Sequence, residues 1–273
     1  MNNPTPAITV RYGSIDSGYA TRLATTPPEQ DGPVWMVNLM SYRPLAEYAD
    51  GRATTLTGRD ADDEYAPLGP LAAVGAQVVL FADVEDQLLG DAPRWHRVGV
   101  VKYPTRRSFI EMQSLPEFAA LHDHKDAGMA HTIILGCQPG IPLVLPDGPD
   151  WADVPNPPAA ADGPVIVLHV LKYSGGAAYQ NMRVYLEQAA EVGVPHGARI
   201  AGWLDVEGTV VGDGRGWDQA LFHAFPSKAA FMAVALDPDR LAADVTHREP
   251  AITDSYTLIL RPVIDDLAAS LSG

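Results

Sequence analysis

Residues 31–42 read DGPVWMVNLMSY, and residues 162–173 read DGPVIVLHVLKY. Both stretches open with Asp-Gly-Pro-Val and end with a tyrosine, at a constant separation of 131 positions. Further pairs recur 122 positions apart: Gly75, Asp83, Glu85, Gly90, Asp91, Trp95, Pro104, Phe109 and Pro116 match Gly197, Asp205, Glu207, Gly212, Asp213, Trp217, Pro226, Phe231 and Pro238. Similarity at a nearly fixed offset indicates an internal duplication.

Each copy shows the apolar pattern of strand, helix, strand, strand, helix, strand. The elements predicted for the first copy are Val34–Met40, Glu64–Ala73, Gln77–Val84, Trp95–Tyr103, Ser108–Lys125 and His131–Leu135. Those predicted for the second are Val165–Tyr173, Ala177–Ala190, Arg199–Val206, Trp217–Phe225, Lys228–Thr246 and Tyr256–Leu260. This order is that of the ferredoxin-like unit, whose sheet carries helices on one face only. The other face needs a cover, and a second sheet in the same chain supplies one. We therefore predict an α+β fold in which two ferredoxin-like βαββαβ repeats form an intramolecular, pseudo-dimeric α/β barrel.

The repeat divides the chain into five parts. Residues 1–30 are an N-terminal extension with one predicted strand, Ile8–Tyr12, and residues 31–138 are the first repeat. Residues 139–162 form a linker whose prolines exclude a helix or a central strand. The second repeat spans residues 163–264, and residues 265–273 are a C-terminal tail.

Composition excludes several classes of function. The formal net charge of -15 disfavours binding to nucleic acid, because it repels the phosphate backbone. Cys137 is the only cysteine, so an intrachain disulfide is impossible and a thiolate metal site is not expected. No apolar run approaches the roughly 20 residues of a membrane-spanning helix, and no signal-peptide core is visible, so a cytoplasmic protein without a membrane partner is expected.

Several motifs resemble one superfamily. The run VWMVNL at residues 34–39, the Tyr-Pro or Phe-Pro after each third strand, Pro116-Glu117-Phe118 and the last apolar strand resemble the dimeric α/β-barrel superfamily, and within it the domain-of-unknown-function 1330 family. The resemblance covers nearly all of residues 31–262. This superfamily includes cofactor-independent quinone-forming monooxygenases, polyketide cyclases, muconolactone-type isomerases, and haem proteins such as chlorite dismutases and aldoxime dehydratases. The resemblance implies a fold and leaves the reaction open.

The two copies differ at polar positions on their central strands. Asn38 aligns with His169, and Val101 aligns with His223. The first and third strands of such a unit are neighbours, so His169 and His223 are predicted to lie close together. We expect this polar face to look into the cavity between the two sheets, with His169 as a catalytic base, His223 as its orienting partner and Asn38 as a substrate ligand. The alternative is a pair of hydrogen-bonded core histidines.

Two further sets of residues occur in both copies. The triplet HKD at residues 124–126 recurs as HRE at residues 247–249, where each predicted second helix ends. His124 is therefore a third catalytic candidate and His247 a substrate-binding one, although stabilisation of the helix dipole explains the triplets equally. Tyr42 and Tyr173 end the first strands and are predicted to donate hydrogen bonds to the substrate, unless they only pack at the barrel rim.

These patterns favour an enzyme without a cofactor. We expect histidine-assisted deprotonation of a small aromatic or polyketide-like molecule in the inter-sheet cavity, followed by monooxygenation or by cyclisation or isomerisation. The alternative is a non-catalytic protein of this fold that binds a small ligand or haem. No metal site is predicted. An unpaired edge strand in each sheet would allow a homo-oligomer of pseudo-dimers.

Overall fold

The computed structural model describes residues 10–272. Its strands are β1 (Ser14–Ile15), β2 (Val34–Tyr42), β3 (Gln77–Leu89), β4 (Arg97–Tyr103), β5 (Met129–Pro139), β6 (Val165–Tyr173), β7 (Arg199–Gly212), β8 (Gln219–Phe225) and β9 (Ile252–Asp265). Its helices are α1 (Ser17–Thr25), α2 (Gly58–Tyr65), α3 (Leu68–Ala73), α4 (Arg106–Gln113), α5 (Pro116–Gly128), α6 (Ala178–Gly193), α7 (Lys228–Ala235), α8 (Pro238–Ala243), α9 (Glu249–Ala251) and α10 (Leu267–Leu271). There is also a 3-10 turn at Val194–His196 and a π-helical turn at Asp244–Arg248.

Strands β2 to β9 form one closed, antiparallel barrel. The order is β7-β5-β2-β4-β3-β9-β6-β8, and β8 pairs again with β7. The halves are joined edge to edge, because β5 of the first half pairs with β7 of the second and β3 pairs with β9. The fold class predicted from the repeat is confirmed. The expectation of an unpaired edge strand in each sheet is wrong, because each edge is used to close the barrel. The homo-oligomer remains a prediction, but free edge strands no longer support it.

The barrel interior is a core built by both halves. Every second residue of β2, namely Trp35, Val37 and Leu39, points inward and is buried. The same core contains Val98, Val100, Ile133, Leu135, Cys137, Ile166, Leu168, Val170, Leu204, Phe222, Tyr256, Leu258 and Leu260. Leu267 of α10 joins it as well. The space between the sheets is therefore filled by apolar side chains.

The alternate residues of each strand face the helices. Met36 and Met40 belong to a separate buried cluster with Phe109 and Phe118 of α4 and α5. Asn38 and His169 lie on this outer face, so the expectation that they look into the space between the sheets is wrong. The barrel interior is filled by large apolar side chains. Asn38 and His169 instead line cavities between the sheet and the helices.

The repeated Asp-Gly-Pro motif has a structural role. Asp31 accepts hydrogen bonds from the backbone N–H groups of Arg106 and Arg107, at 2.8 and 3.2 Å, at the start of α4. Asp162 accepts the equivalent bonds from Lys228 and Ala229 at the start of α7, at 2.9 and 3.0 Å. Each aspartate ties its first strand to its second helix and satisfies donors that a helix start leaves free.

The N-terminal extension packs on both halves, against α4 of the first and β7 of the second. The first two residues of the predicted strand Ile8–Tyr12 lie outside the described residues, and its last three residues are not in a strand. Instead, β1 pairs with the end of β7, and α1 follows it. Asp16 caps α1 by accepting from the backbone of Tyr19 at 3.0 Å.

Candidate functional site

The first half contains a cavity of about 420 Å³ between the sheet and its helices. Its wall is mostly apolar and includes Met36, Met40, Leu71, Phe81, Val101 and Phe118. The N-terminal segment closes one side through Val10, Tyr12 and Ile15. The volume lies within the range of roughly 300–1,000 Å³ that small-molecule pockets occupy.

Lys125 lines this cavity from α5 and is only 8% exposed. Its ammonium lies 5.1 Å from the ring centre of Tyr65 and 5.9 Å from that of Tyr12. No hydrogen bond or ion pair joins it to another residue in the described part of the chain. Burial lowers the pKa of Lys125, and the Asp62 carboxylate partly opposes this effect. Lysine is almost never fully buried without a partner, so this side chain marks the cavity as a candidate site.

His122 lies one helical turn before Lys125 and lines the same cavity. Its Nε2 is 3.2 Å from the hydroxyl oxygen of Tyr12. Burial lowers the pKa of His122, and the charge of Lys125 lowers it further. Burial also raises the pKa of Tyr12, so its hydroxyl stays protonated. The imidazole is therefore neutral at neutral pH and can accept a proton.

A polar network closes another side of the cavity. Arg97 of β4 is buried and donates to Asp62 at 3.1 Å and to Asp63 at 2.7 Å, while Tyr42 donates to Asp62 at 2.7 Å. Asp62 is thus already shared by two donors. Asn38 donates through Nδ2 to the backbone oxygen of Met36 at 2.9 Å. Asn38 also lines the cavity, so among the residues predicted to bind the substrate it is the one that reaches this cavity.

The second half has a smaller cavity, of about 90 Å³, at the corresponding place. His169 and His223 both line it, and their ring centres lie 5.6 Å apart, which confirms the predicted proximity. His169 Nδ1 lies 3.1 Å from the hydroxyl of Thr257. Burial holds the pKa of His169 well below its ordinary value, and the adjacent His223 and the charges of Arg248 and Arg240 oppose its protonation further. Burial lowers the pKa of His223 to about 4. Both imidazoles are neutral at pH 7.

The other predicted site residues lie outside these two cavities. His124 Nδ1 is 2.7 Å from the hydroxyl of Tyr48, on the side of α5 away from the first-half cavity. Tyr42 is bound to Asp62, and the Tyr173 hydroxyl donates to Gln219. His247 is partly exposed in the π-helical turn. The structure thus brings together His169 and His223 in one half, and separates them from Asn38 in the other.

Sequence reasoning missed Lys125 and His122 as site residues. A signal was present, because Phe118, His122 and Lys125 are spaced by four and three positions and so share one face of α5. His122 and Lys125 extend the apolar face of α5 that begins at Phe118, so they face the cavity, whereas His124 lies on another face of the helix. Among residues 10–272, no group of three His, Cys, Asp or Glu side chains is placed to hold a metal ion. None of the helices in that range has the length and apolar character required to cross a bilayer.

Comparison with known proteins bears on the fold. No protein-family model matches the chain, so the finer resemblance to the domain-of-unknown-function 1330 family stays a prediction, and no curated protein matches it either. Solved structures do match. A protein of unknown function from Rhodopseudomonas palustris is 24% identical and covers 48% of this chain and 98% of its own, with a TM-score of 0.42. A mutant chlorite dismutase from Candidatus Nitrospira defluvii is 11% identical over 93% of this chain and 99% of its own, with a TM-score of 0.47.

An anthrone oxidase-like protein aligns with a TM-score of 0.51 over 88% of this chain and 97% of its own, at 12% identity. Identity at that level shows a shared fold and nothing about activity. With the closed barrel and its two repeated halves, this likeness shows that the chain has the dimeric α/β-barrel fold, built here within a single polypeptide.

Proposed function

We propose that this protein is an enzyme that removes a proton from a small aromatic or polyketide-like molecule in the first-half cavity, without a cofactor. Lys125 is the observation that carries the proposal. An unpaired buried charge costs several kcal/mol, and a bound phenolate or enolate would offset that cost by completing the ion pair. The apolar wall provides the surface for the rest of such a molecule.

Lys125 and His122 have different roles in the proposed reaction. The ammonium of Lys125 lowers the pKa of a nearby phenol or enolisable ketone and stabilises the anion that forms. His122 accepts the proton, because it is neutral at pH 7 and Tyr12 fixes its ring. This assignment replaces the one expected for His169 and His223, since their cavity of about 90 Å³ is too small for an aromatic substrate.

The anion has two routes forward. With an anthrone, O2 converts the deprotonated CH2 group to a carbonyl; one oxygen atom enters the product and the other leaves as water. Alternatively, the carbanion attacks a carbonyl of the same molecule, which is cyclisation. The anthrone oxidase-like neighbour supports oxygenation as the first reaction to test.

The experiment uses the full chain, anthrone as probe, an oxygen electrode and the absorbance of anthraquinone. Lys125→Met should lower kcat/KM by about 100-fold, as does loss of one donor to a developing oxyanion. The variant should unfold at the same or a higher denaturant concentration, because an unpaired buried charge is removed. His124→Gln is the matched control: it changes the adjacent residue outside the cavity and should leave turnover within twofold. Wild-type turnover in Lys125→Met would refute the proposal.

The alternative function is a carrier that binds a small ligand or haem without reaction. It keeps the same cavity, and it predicts saturable binding of anthrone with no oxygen consumption by the wild-type protein. A haem carrier additionally predicts a Soret absorption band after incubation with haem, which His122→Gln would shift if His122 is the axial ligand.

A further inference from the structure

The second-half cavity has an unusual balance of charge. Three arginines and two histidines line it, namely Arg199, Arg240, Arg248, His169 and His223, and no carboxylate is among its described lining residues. The rest of the wall is apolar and includes Leu143 and Leu145 of the linker. Asp244 contacts Arg240 and Arg248 but does not line the cavity, so the guanidinium groups in this apolar wall favour an anion.

Arg248 is the counterpart of Lys125. Both lie three residues before the end of the second helical segment of their half, and both are buried, with 7% and 8% exposed. Between Pro238 and His247 the repeat offset changes from 122 to 123, so the second half holds one extra residue. The π-helical turn Asp244–Arg248 begins in this interval, and a π turn accommodates one inserted residue in a helix. The insertion therefore keeps a cation directed at the cavity.

Two hydrogen-bond donors at this cavity, those of Arg248 and Trp203, lack a close acceptor. Arg248 is 3.4 Å from Asp244 and 3.5 Å from the Ser255 hydroxyl, and Arg240 is 3.8 Å from the same carboxylate. All three distances are long for charged hydrogen bonds. Arg240 also donates to the Tyr185 hydroxyl at 2.9 Å and to the Ala235 carbonyl at 3.1 Å, so Arg248 is the guanidinium with only long contacts. The indole N–H of Trp203, a residue only 3% exposed, has no partner within the described residues. An unpaired buried donor calls for an acceptor that the protein does not supply.

We propose that the second-half cavity binds a small anion, of the size of nitrate or formate, between Arg248 and the His169–His223 pair. A cavity of about 90 Å³ has room for an anion of three or four heavy atoms. Planar oxyanions also match the flat, forked donor geometry of a guanidinium. This site is separate from the proposed substrate cavity and does not rest on the proposed function.

The test is a titration of the full chain with sodium nitrate and, separately, sodium formate. Ionic strength is held constant with gluconate, an anion too large for the cavity, and histidine side-chain NMR signals report binding. Saturable shifts of the His169 and His223 signals are expected, and Arg248→Gln should weaken the affinity at least about tenfold, as expected for a charge-assisted bidentate contact. His247→Gln, at the neighbouring position outside the cavity, should bind like the wild type.

Linear, non-saturating shifts in the wild type, or unchanged affinity in Arg248→Gln, would overturn the proposal. If Arg248→Gln does not fold, His223→Val takes its place, because the first half carries Val101 at the equivalent position. Loss of the imidazole donor should then weaken binding measurably, and an unchanged affinity would count against the site.

Discussion

The buried imidazoles of His169 and His223 make the second half sensitive to acid. In the unfolded chain a histidine has a pKa near 6.5, whereas burial lowers the pKa of His223 to about 4 in the folded protein. Between these values the unfolded state binds a proton that the folded state does not. Stability is therefore lost as pH falls from about 6.5 toward about 4.

His223→Val tests this linkage. Through His223 alone, the wild-type free energy of unfolding should fall by about 2 kcal/mol between pH 7 and pH 5. The variant lacks this contribution, so its stability should depend less steeply on pH, while the carboxylates contribute equally to both proteins. Urea unfolding at pH 7, 6 and 5 in the same buffer ions measures the difference. Parallel pH profiles would mean that His223 titrates normally in the folded protein.

For individual residues, the sequence predicted the pair His169 and His223 but not the pair His122 and Lys125. The proximity of His169 and His223 follows from strand adjacency, which a repeat reveals. The burial of Lys125 does not, because a lysine near a helix end ordinarily lies in solvent. One of the two rings beside Lys125 is that of Tyr12, which belongs to an extension outside the repeat, so a comparison of the two copies would not indicate this contact.

Among the elements, α4 and α7 depend on an aspartate far away in sequence. The Asp31 side chain is only 4% exposed and bonds two backbone donors of α4. Asp31→Ala leaves these donors without a partner and should lower the free energy of unfolding by about 1–2 kcal/mol. Asp31→Asn retains an acceptor oxygen and should lose less. Chemical denaturation of both variants measures these free energies of unfolding. If Asp31→Ala is as stable as the wild type, Asp31 does not stabilise the start of α4.

The order of elements was predicted correctly in both halves, but several bounds were not. Prolines break the predicted helices: Pro67 separates α2 from α3, and α5 and α8 each begin at a proline, Pro116 and Pro238. Strands β3 and β7 run five and six residues beyond the predicted ends at Val84 and Val206. Those extra residues pair with β9 and β5 of the other half, a contact that no pattern within one copy contains.

For the whole molecule, the closed barrel makes the halves interdependent. The buried interior takes Trp35 and Leu135 from one half and Phe222 and Leu258 from the other, in one continuous cluster. Removal of either half would expose this apolar face to water, together with two strand edges whose N–H and C=O groups lose their partners. We therefore treat the repeats as two parts of a single folding unit.

Expression of residues 31–140 alone tests this view. The fragment contains β2 to β5 but lacks β7 and β9, which complete its sheet on both sides. It should form a homodimer that copies the barrel, or else aggregate, because exposed edges and an apolar face favour association. Light scattering after size-exclusion chromatography gives the mass, and amide NMR dispersion reports folding. A well-folded monomer would show that each repeat is stable by itself, and the barrel would then be an association of two independent domains.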